Sequence, residues 1–133
     1  MTGPLEGVKV LDLTSVLLGP YATQIMGDLG ADVIKIESPA GDTTRQTGVE
    51  RNPGMASFFL IANRNKRSLV LDLKKEAAKE ALWRLIDTAD VFIHAIRPKA
   101  IRRLGFGPEA VLARNPRIVY AVSYTHLRAH ETG

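Results

Sequence analysis

Residues 8 to 37 constrain the fold more than any other stretch. Val8 to Leu13 is a short, mostly apolar run with Lys9 and Asp12 interleaved, bounded by Gly7 and by Thr14 and Ser15, and it reads as a buried strand. Pro20 follows Gly19 and suits the first turn of a helix, where its missing N–H would be unpaired anyway. A helix is expected from Pro20 to about Leu29, with Gly30 placed to end it. Ala31 to Glu37 then brings the β-branched residues Val33, Ile34 and Ile36 of a second strand. A strand, a helix and a strand so closely spaced predict a βαβ unit with parallel strands and a right-handed crossover.

The alternation continues. Ser68 to Leu73 reads as a strand, and Lys75 to Thr88 as the clearest helix, with Ala78, Leu82, Leu85, Ile86 and Ala89 on one face. Asp90 to Ile96 predicts a strand, Pro108 to Arg114 a short helix, and Ile118 to Val122 a further strand. The fold expected is α/β, a Rossmann-like open, mostly parallel sheet with flanking helices. Between Ser38 and Arg67 the chain is rich in Gly, Pro, Asn, Thr and Arg, and only Met55 to Ala62 is apolar enough for a short helix or packed turn. A loop of that length in a compact domain usually carries function.

The 133 residues suffice for one core, and an apolar fraction of 45% with a charged fraction of 24% excludes disorder and fibrous repeats. No apolar run approaches the roughly 18 residues that span a bilayer, and Glu6 stands where a signal peptide would be basic. With no cysteine there is no disulfide framework, thiolate metal site or thiol nucleophile, which fits a reducing cytoplasm. The net charge of +4 arises from basic clusters at 64 to 67, 74 to 75, 97 to 103 and 114 to 117, which suit an anionic partner.

Ligands of open α/β sheets bind at the carboxyl ends of the strands, here the loops after Leu13, Glu37, Leu73 and Ile96. A dinucleotide is disfavoured. Glu37 occupies the place of a ribose-binding acid, but G-x-G-x-x-G is absent, and Pro20 lacks the N–H that a pyrophosphate needs. The segment R-P-K-A-I-R-R-L-G at 97 to 105 concentrates Arg97, Lys99, Arg102 and Arg103 just past a strand end, a composition suited to phosphates.

Three phrases in fixed order carry a family resemblance: G-P-Y-A-T-Q at 19 to 24, G-A-D-V-I-K-I-E at 30 to 37 and N-R-N-K-R-S-L-V-L-D-L-K at 63 to 74. Together they resemble the class III coenzyme A transferases of the CaiB/BaiF or formyl-CoA transferase type. The resemblance runs from about Leu5 to Ala121 and implies that residues 1 to 122 are the N-terminal part of a larger domain. It implies coenzyme A as substrate and carrier, with no tightly bound cofactor, and acyl-CoA and carboxylate substrates. Lys74, Arg97 and Arg103 match positions that contact the carrier, and Val16, Leu17, Leu71, Asp72 and Leu73 match backbone-lined positions beside its adenosine and pantetheine parts. The nucleophilic aspartate of the family is expected beyond Val122, so no catalytic residue is assigned here. An interlocked homodimer is implied, and no nucleic-acid or membrane partner is expected.

Two departures stand out. His94-Ala95-Ile96-Arg97-Pro98-Lys99 replaces the relatives' E-N-F-R-P-G, removing an asparagine, and Ser38 stands where some relatives carry an arginine that stacks on the adenine. In N-R-N-K-R-S, Asn63 and Asn65 suit turns, while Arg64 and Lys66 are suited to pair with acids of a second subunit. His94, inside a strand, is expected to be packed or hydrogen-bonded rather than catalytic. An α-methylacyl-CoA racemase-like member of the superfamily and a non-enzymatic nucleotide-binding module are the alternative functions. Residues 123 to 133, S-Y-T-H-L-R-A-H-E-T-G, resemble translated sequencing-adapter sequence and are read as a non-native tail. No metal site is expected: His126 and His130 have i,i+4 spacing but lack the glutamate of a zinc protease.

Overall fold

The computed structural model describes residues 3–123, and His126 and His130 lie outside them. Five strands, β1 (Lys9–Leu13), β2 (Asp32–Glu37), β3 (Lys66–Val70), β4 (Val91–His94) and β5 (Val119–Val122), form one sheet in the order β3-β2-β1-β4-β5. Every neighbouring pair is parallel. The chain winds outward from β1 in one direction, then crosses back and winds outward in the other. The strand order therefore reverses between β1 and β4, the place where such sheets open a crevice.

The first crossover is α1 (Leu18–Asp28). It ends in a Schellman arrangement: Gly30, at φ 104, donates its N–H to the Gly27 carbonyl at 3.0 Å, and Ala31 donates to the Met26 carbonyl at 3.0 Å. Helices α2 (Ser57–Ala62), α3 (Glu76–Thr88), α4 (Pro98–Leu104) and α5 (Pro108–Arg114) complete the fold.

The two faces of the sheet differ in kind. Leu11, Leu13, Ile36 and Phe92 pack with Leu82 and Ile86 of α3, Ile101 of α4 and Val111 of α5 in one apolar cluster. Fully burying each such side chain is worth about 1.5 to 3 kcal/mol. On the α1 face the apolar cluster is small, comprising Val10, Ala31 and Val33 with Met26 packed against them. The rest of that face is ionic. Asp12 and Lys35 lie opposite each other in the β1–β2 register, both fully buried, and Lys66 enters the same layer from β3.

Two sequence expectations shift. The third strand runs from Lys66 to Val70 rather than from Ser68 to Leu73, because Lys66 and Arg67 pair with Val33 and Ile34 while Asp72 closes a turn to Lys75. The segment 97 to 105, read as a basic loop, instead holds α4, with Arg97 as its N-cap, Pro98 in its first turn and Gly105 at φ 96 after its end. The long loop after β2 contains a 3-10 turn, Thr43–Gln46, capped by the Asp42 side chain.

Candidate functional site: a crevice at the strand-order reversal

The carboxyl ends of the strands enclose a cavity of about 320 Å3. Its apolar lining comes from Leu13, Ile36, Leu71, Leu73, Ile96 and Leu104, and its polar rim from Thr14, Ser15, Ser38, Asp72 and Lys74. Of the residues singled out from the sequence, Leu71, Asp72, Leu73 and Lys74 thus meet in one place. The Asp72 carboxylate accepts the Lys74 N–H at 3.2 Å, which turns the chain across the mouth of the crevice. Val16 and Leu17 follow directly on Ser15 and are exposed, Leu17 being the N-cap of α1. Arg97 and Arg103 do not line the crevice, but their chain neighbours Ile96 and Leu104 do. Arg97 is the N-cap of α4, and Arg103 stands in its last turn. The side chains of Lys74, Arg97 and Arg103 make no hydrogen bond or ion pair among the described residues.

Beneath the rim lies a ladder of ion pairs that the sequence analysis did not assemble. Lys66 Nζ donates to Asp12 Oδ2, to the Pro20 carbonyl and to Asn63 Oδ1, at 2.9, 2.9 and 2.8 Å. Lys35 Nζ meets Asp42 Oδ2 at 2.9 Å and the Thr14 carbonyl at 3.2 Å. Arg45 forks onto Glu37 at 2.6 and 2.9 Å, and its guanidinium lies 3.8 Å above the Phe59 ring. Asp12 also accepts from the hydroxyls of Thr14 and Thr23. Burial pushes the Asp12 carboxyl up, but Lys66, Lys35 and the two hydroxyls outweigh it and hold the group below the usual carboxylate range. Burial likewise opposes ionisation of Glu37 and Asp42, and their partners again leave both lowered. The Lys66 ammonium is pulled down by burial against the support of Asp12. The signal was in the sequence: each of three adjacent strands carries a charge, and parallel register sets Asp12 opposite Lys35.

N-R-N-K-R-S thereby acquires a role within its own chain. Lys66 neutralises Asp12, Arg64 and Asn65 both bond Asp28, and Arg67 forks onto Asp32. Arg64 and Lys66, suited to pair with acids of a second subunit, find acids in their own chain. Asn65 takes a left-handed turn at φ 62. Glu37 has its oxygens engaged by Arg45, by the Asp42 N–H and by Ser68, so it is not free to hold a ribose. His94 is packed and hydrogen-bonded: Nδ1 accepts the Ile96 N–H at 2.9 Å, and Nε2 lies 2.9 Å from the Tyr120 hydroxyl.

A larger cavity, about 420 Å3, lies between α2 and β3. Five of its lining residues are basic, but each has an acid: Asp42 for Lys35, Glu37 for Arg45, Asp28 for Arg64, Asp12 for Lys66 and Asp32 for Arg67. At the rim of the smaller crevice the Lys74 side chain makes no ion pair among the described residues.

The sheet and its helices make an open, all-parallel α/β unit with a crevice at its topological switch. The family model for CoA-transferase family III matches residues 5–128. A protein named probable fatty acyl-CoA transferase Rv3272, from Mycobacterium tuberculosis, is 46% identical over 120 residues, covering 89% of this chain and 30% of the relative. A formyl-CoA:oxalate CoA-transferase of Streptomyces avermitilis is 43% identical over 138 residues, covering 98% of this chain and 34% of that protein. The crystal structure of a CaiB/BaiF family protein from Brucella suis aligns with a TM-score of 0.86 at 39% identity, over 92% of this chain and 33% of the other. The chain belongs to CoA-transferase family III. It spans about a third of the length of these relatives. Among the described residues no helix is long and apolar enough to cross a membrane.

Proposed function

We propose that this chain is the N-terminal part of an enzyme that moves coenzyme A from an acyl-CoA to a free carboxylate, and that the crevice between β1, β2 and β4 receives the CoA. The observation that carries this reading is the convergence of the L-D-L-K phrase, residues 71 to 74, on that crevice beside the β1 loop. The apolar lining suits the pantetheine arm and adenine, and the unpaired cations Lys74, Arg97 and Arg103 suit the phosphates, which arginine binds through a planar fork. Relatives named formyl-CoA:oxalate and succinyl-CoA:glutarate CoA-transferase support transfer over racemisation. They also make small dicarboxylates the first acceptors to try.

The chemistry expected of the whole enzyme is attack by an aspartate on the thioester, which expels the CoA thiolate and gives a mixed anhydride. The thiolate then attacks the aspartyl carbonyl, releases the acyl carboxylate and leaves an enzyme-bound thioester. No carboxylate of the crevice suits that role here. Glu37 and Asp42 are buried and held by cations, as is Asp12 beneath the crevice, and Asp72 is engaged in its turn. The nucleophile is assigned to chain beyond Val122, in a homodimer working in the cytoplasm.

The test pairs binding with turnover. In the full-length enzyme encoded by the gene, K74A, R97A and R103A should each weaken CoA binding by calorimetry about tenfold, the loss of one charged hydrogen bond. Unchanged affinity in all three would remove the assignment. The 133-residue chain alone, incubated with acyl-CoA donors and with oxalate or glutarate, should yield no exchanged thioester by mass spectrometry. Turnover above background would place the nucleophile within these residues.

A further inference from the structure

The loop that leaves β1 adopts a backbone conformation that its own sequence disfavours. Val16 sits at φ 71, in the left-handed region that a β-branched residue rarely enters. Such a conformer persists only where the surroundings over-determine it. Packing of the Val16 side chain does not supply this, because the residue is 51% exposed. The restraint comes from Asp42, on the loop after β2, whose two carboxylate oxygens both accept the Val16 N–H at 3.3 Å.

Asp42 is itself fixed on every side. Lys35 Nζ reaches it at 2.9 Å, the Thr44 N–H and hydroxyl donate to it at 2.9 and 2.8 Å, and its own N–H donates to Glu37 Oε2 at 2.8 Å. Lys35 donates as well to the Thr14 carbonyl at 3.2 Å. The two sides of the turn, Thr14 and Val16, are thus tied to one buried ion pair. Thr14, Ser15 and Asp42 all line the crevice. With Lys35 beside it, the Asp42 charge is compensated, so a carboxylate is tolerated next to a polyanionic carrier.

We propose that Asp42 is a positioning residue for CoA binding: through the Val16 N–H it holds the β1–α1 loop in its ligand-ready shape before the carrier arrives. The inference rests on the crevice being the CoA site. Its benefit is preorganisation, since a loop already ordered loses less freedom on binding.

The experiment uses the full-length enzyme, with CoA calorimetry, acyl-CoA kinetics and thermal unfolding on each variant. D42A removes both oxygens that accept the Val16 N–H, and K35M/D42A is measured beside it because that pair leaves no unpaired buried charge. Both should raise the CoA Kd and the acyl-CoA KM about tenfold, with kcat changed less than about threefold, the pattern of lost binding rather than lost chemistry. The decisive measurement is the same change in a V16G background. Glycine enters the left-handed region without steric cost, so there the loss on removing Asp42 should shrink to about twofold or less. A role in stability alone would give equal losses in both backgrounds and would overturn the proposal, as would wild-type affinity in K35M/D42A. Failure of the wild-type enzyme to bind CoA would instead bring down the assignment of the crevice, and this inference with it.

Discussion

His94 shows how one substitution in a family phrase is absorbed. Its Nδ1 accepts the Ile96 N–H, so the ring proton lies on Nε2 and is donated to the Tyr120 oxygen, which in turn donates to the Phe106 carbonyl at 2.8 Å. Burial of this neutral ring lowers its pKa from 6.5 to about 4. Between those values the unfolded chain binds the proton and the folded chain does not, so stability falls as pH drops from 6.5 towards 4. The shift corresponds to roughly 3 kcal/mol, and urea unfolding of H94Q should show that limb flattened. Below it, Asp12, Glu37 and Asp42, all lowered, add a second decline as they protonate. Lys66 is the other decisive residue. K66M leaves Asp12 buried without its cation and should cost about 3 to 5 kcal/mol in urea unfolding, whereas D12N/K66M together should recover much of the loss. R67A, which breaks only the exposed pair with Asp32, should change stability far less.

Among the elements, α1 and its loop depend on close approach. A Cβ at Gly19 would lie 2.4 Å from the Thr14 Cβ, so G19A must push the first turn of α1 away from the strand end. We expect about 1 to 3 kcal/mol of destabilisation, together with weaker CoA binding in the full-length enzyme. β1, α1, β2 and α3 were legible because each is governed by local pattern: apolar runs, a proline at a start, a glycine at an end. β3 was displaced because Leu69, Leu71 and Leu73 alternate like a strand, while the force that recruits Lys66 into the sheet is a tertiary ion pair with Asp12. α4 was missed although Pro98 and Gly105 bracket it, since its three basic residues, with Arg97 at its N-cap, read as a phosphate-binding loop. For the site, the L-D-L-K phrase led to the crevice directly. The Asp42 and Lys35 supports could not be found that way, because their partners lie in other elements and only the register joins them.

At the scale of the whole molecule, two helices of the described surface expose large apolar side chains. Leu18, Tyr21, Ile25 and Leu29 line the outer side of α1, and Phe58, Leu60 and Ile61 are exposed on α2. Contiguous apolar surface of this kind promotes association. The isolated chain should scatter light increasingly with concentration, and I25E/I61E should reduce that scattering with at most a small fall in the unfolding midpoint, since Ile25 is 44% and Ile61 62% exposed. An unchanged concentration dependence would show that these helices are not the sticky surface.

The strand order has a further consequence during synthesis. β1 is bonded on both sides, but its two neighbours are made at very different times: β2 begins at Asp32, and β4 only at Val91. Translation proceeds at about 5 to 20 residues per second, so the stretch from the end of β3 to the start of β4 takes roughly one to four seconds. Through that interval a nascent half-sheet of β3, β2 and β1 can already be paired while one flank of its central strand waits open, offering its backbone to any extended segment nearby. The ribosome therefore delivers this fold from one side to the other, and the seam between β1 and β4, beside which the crevice lies, can close only after the β3-β2-β1 side has been made.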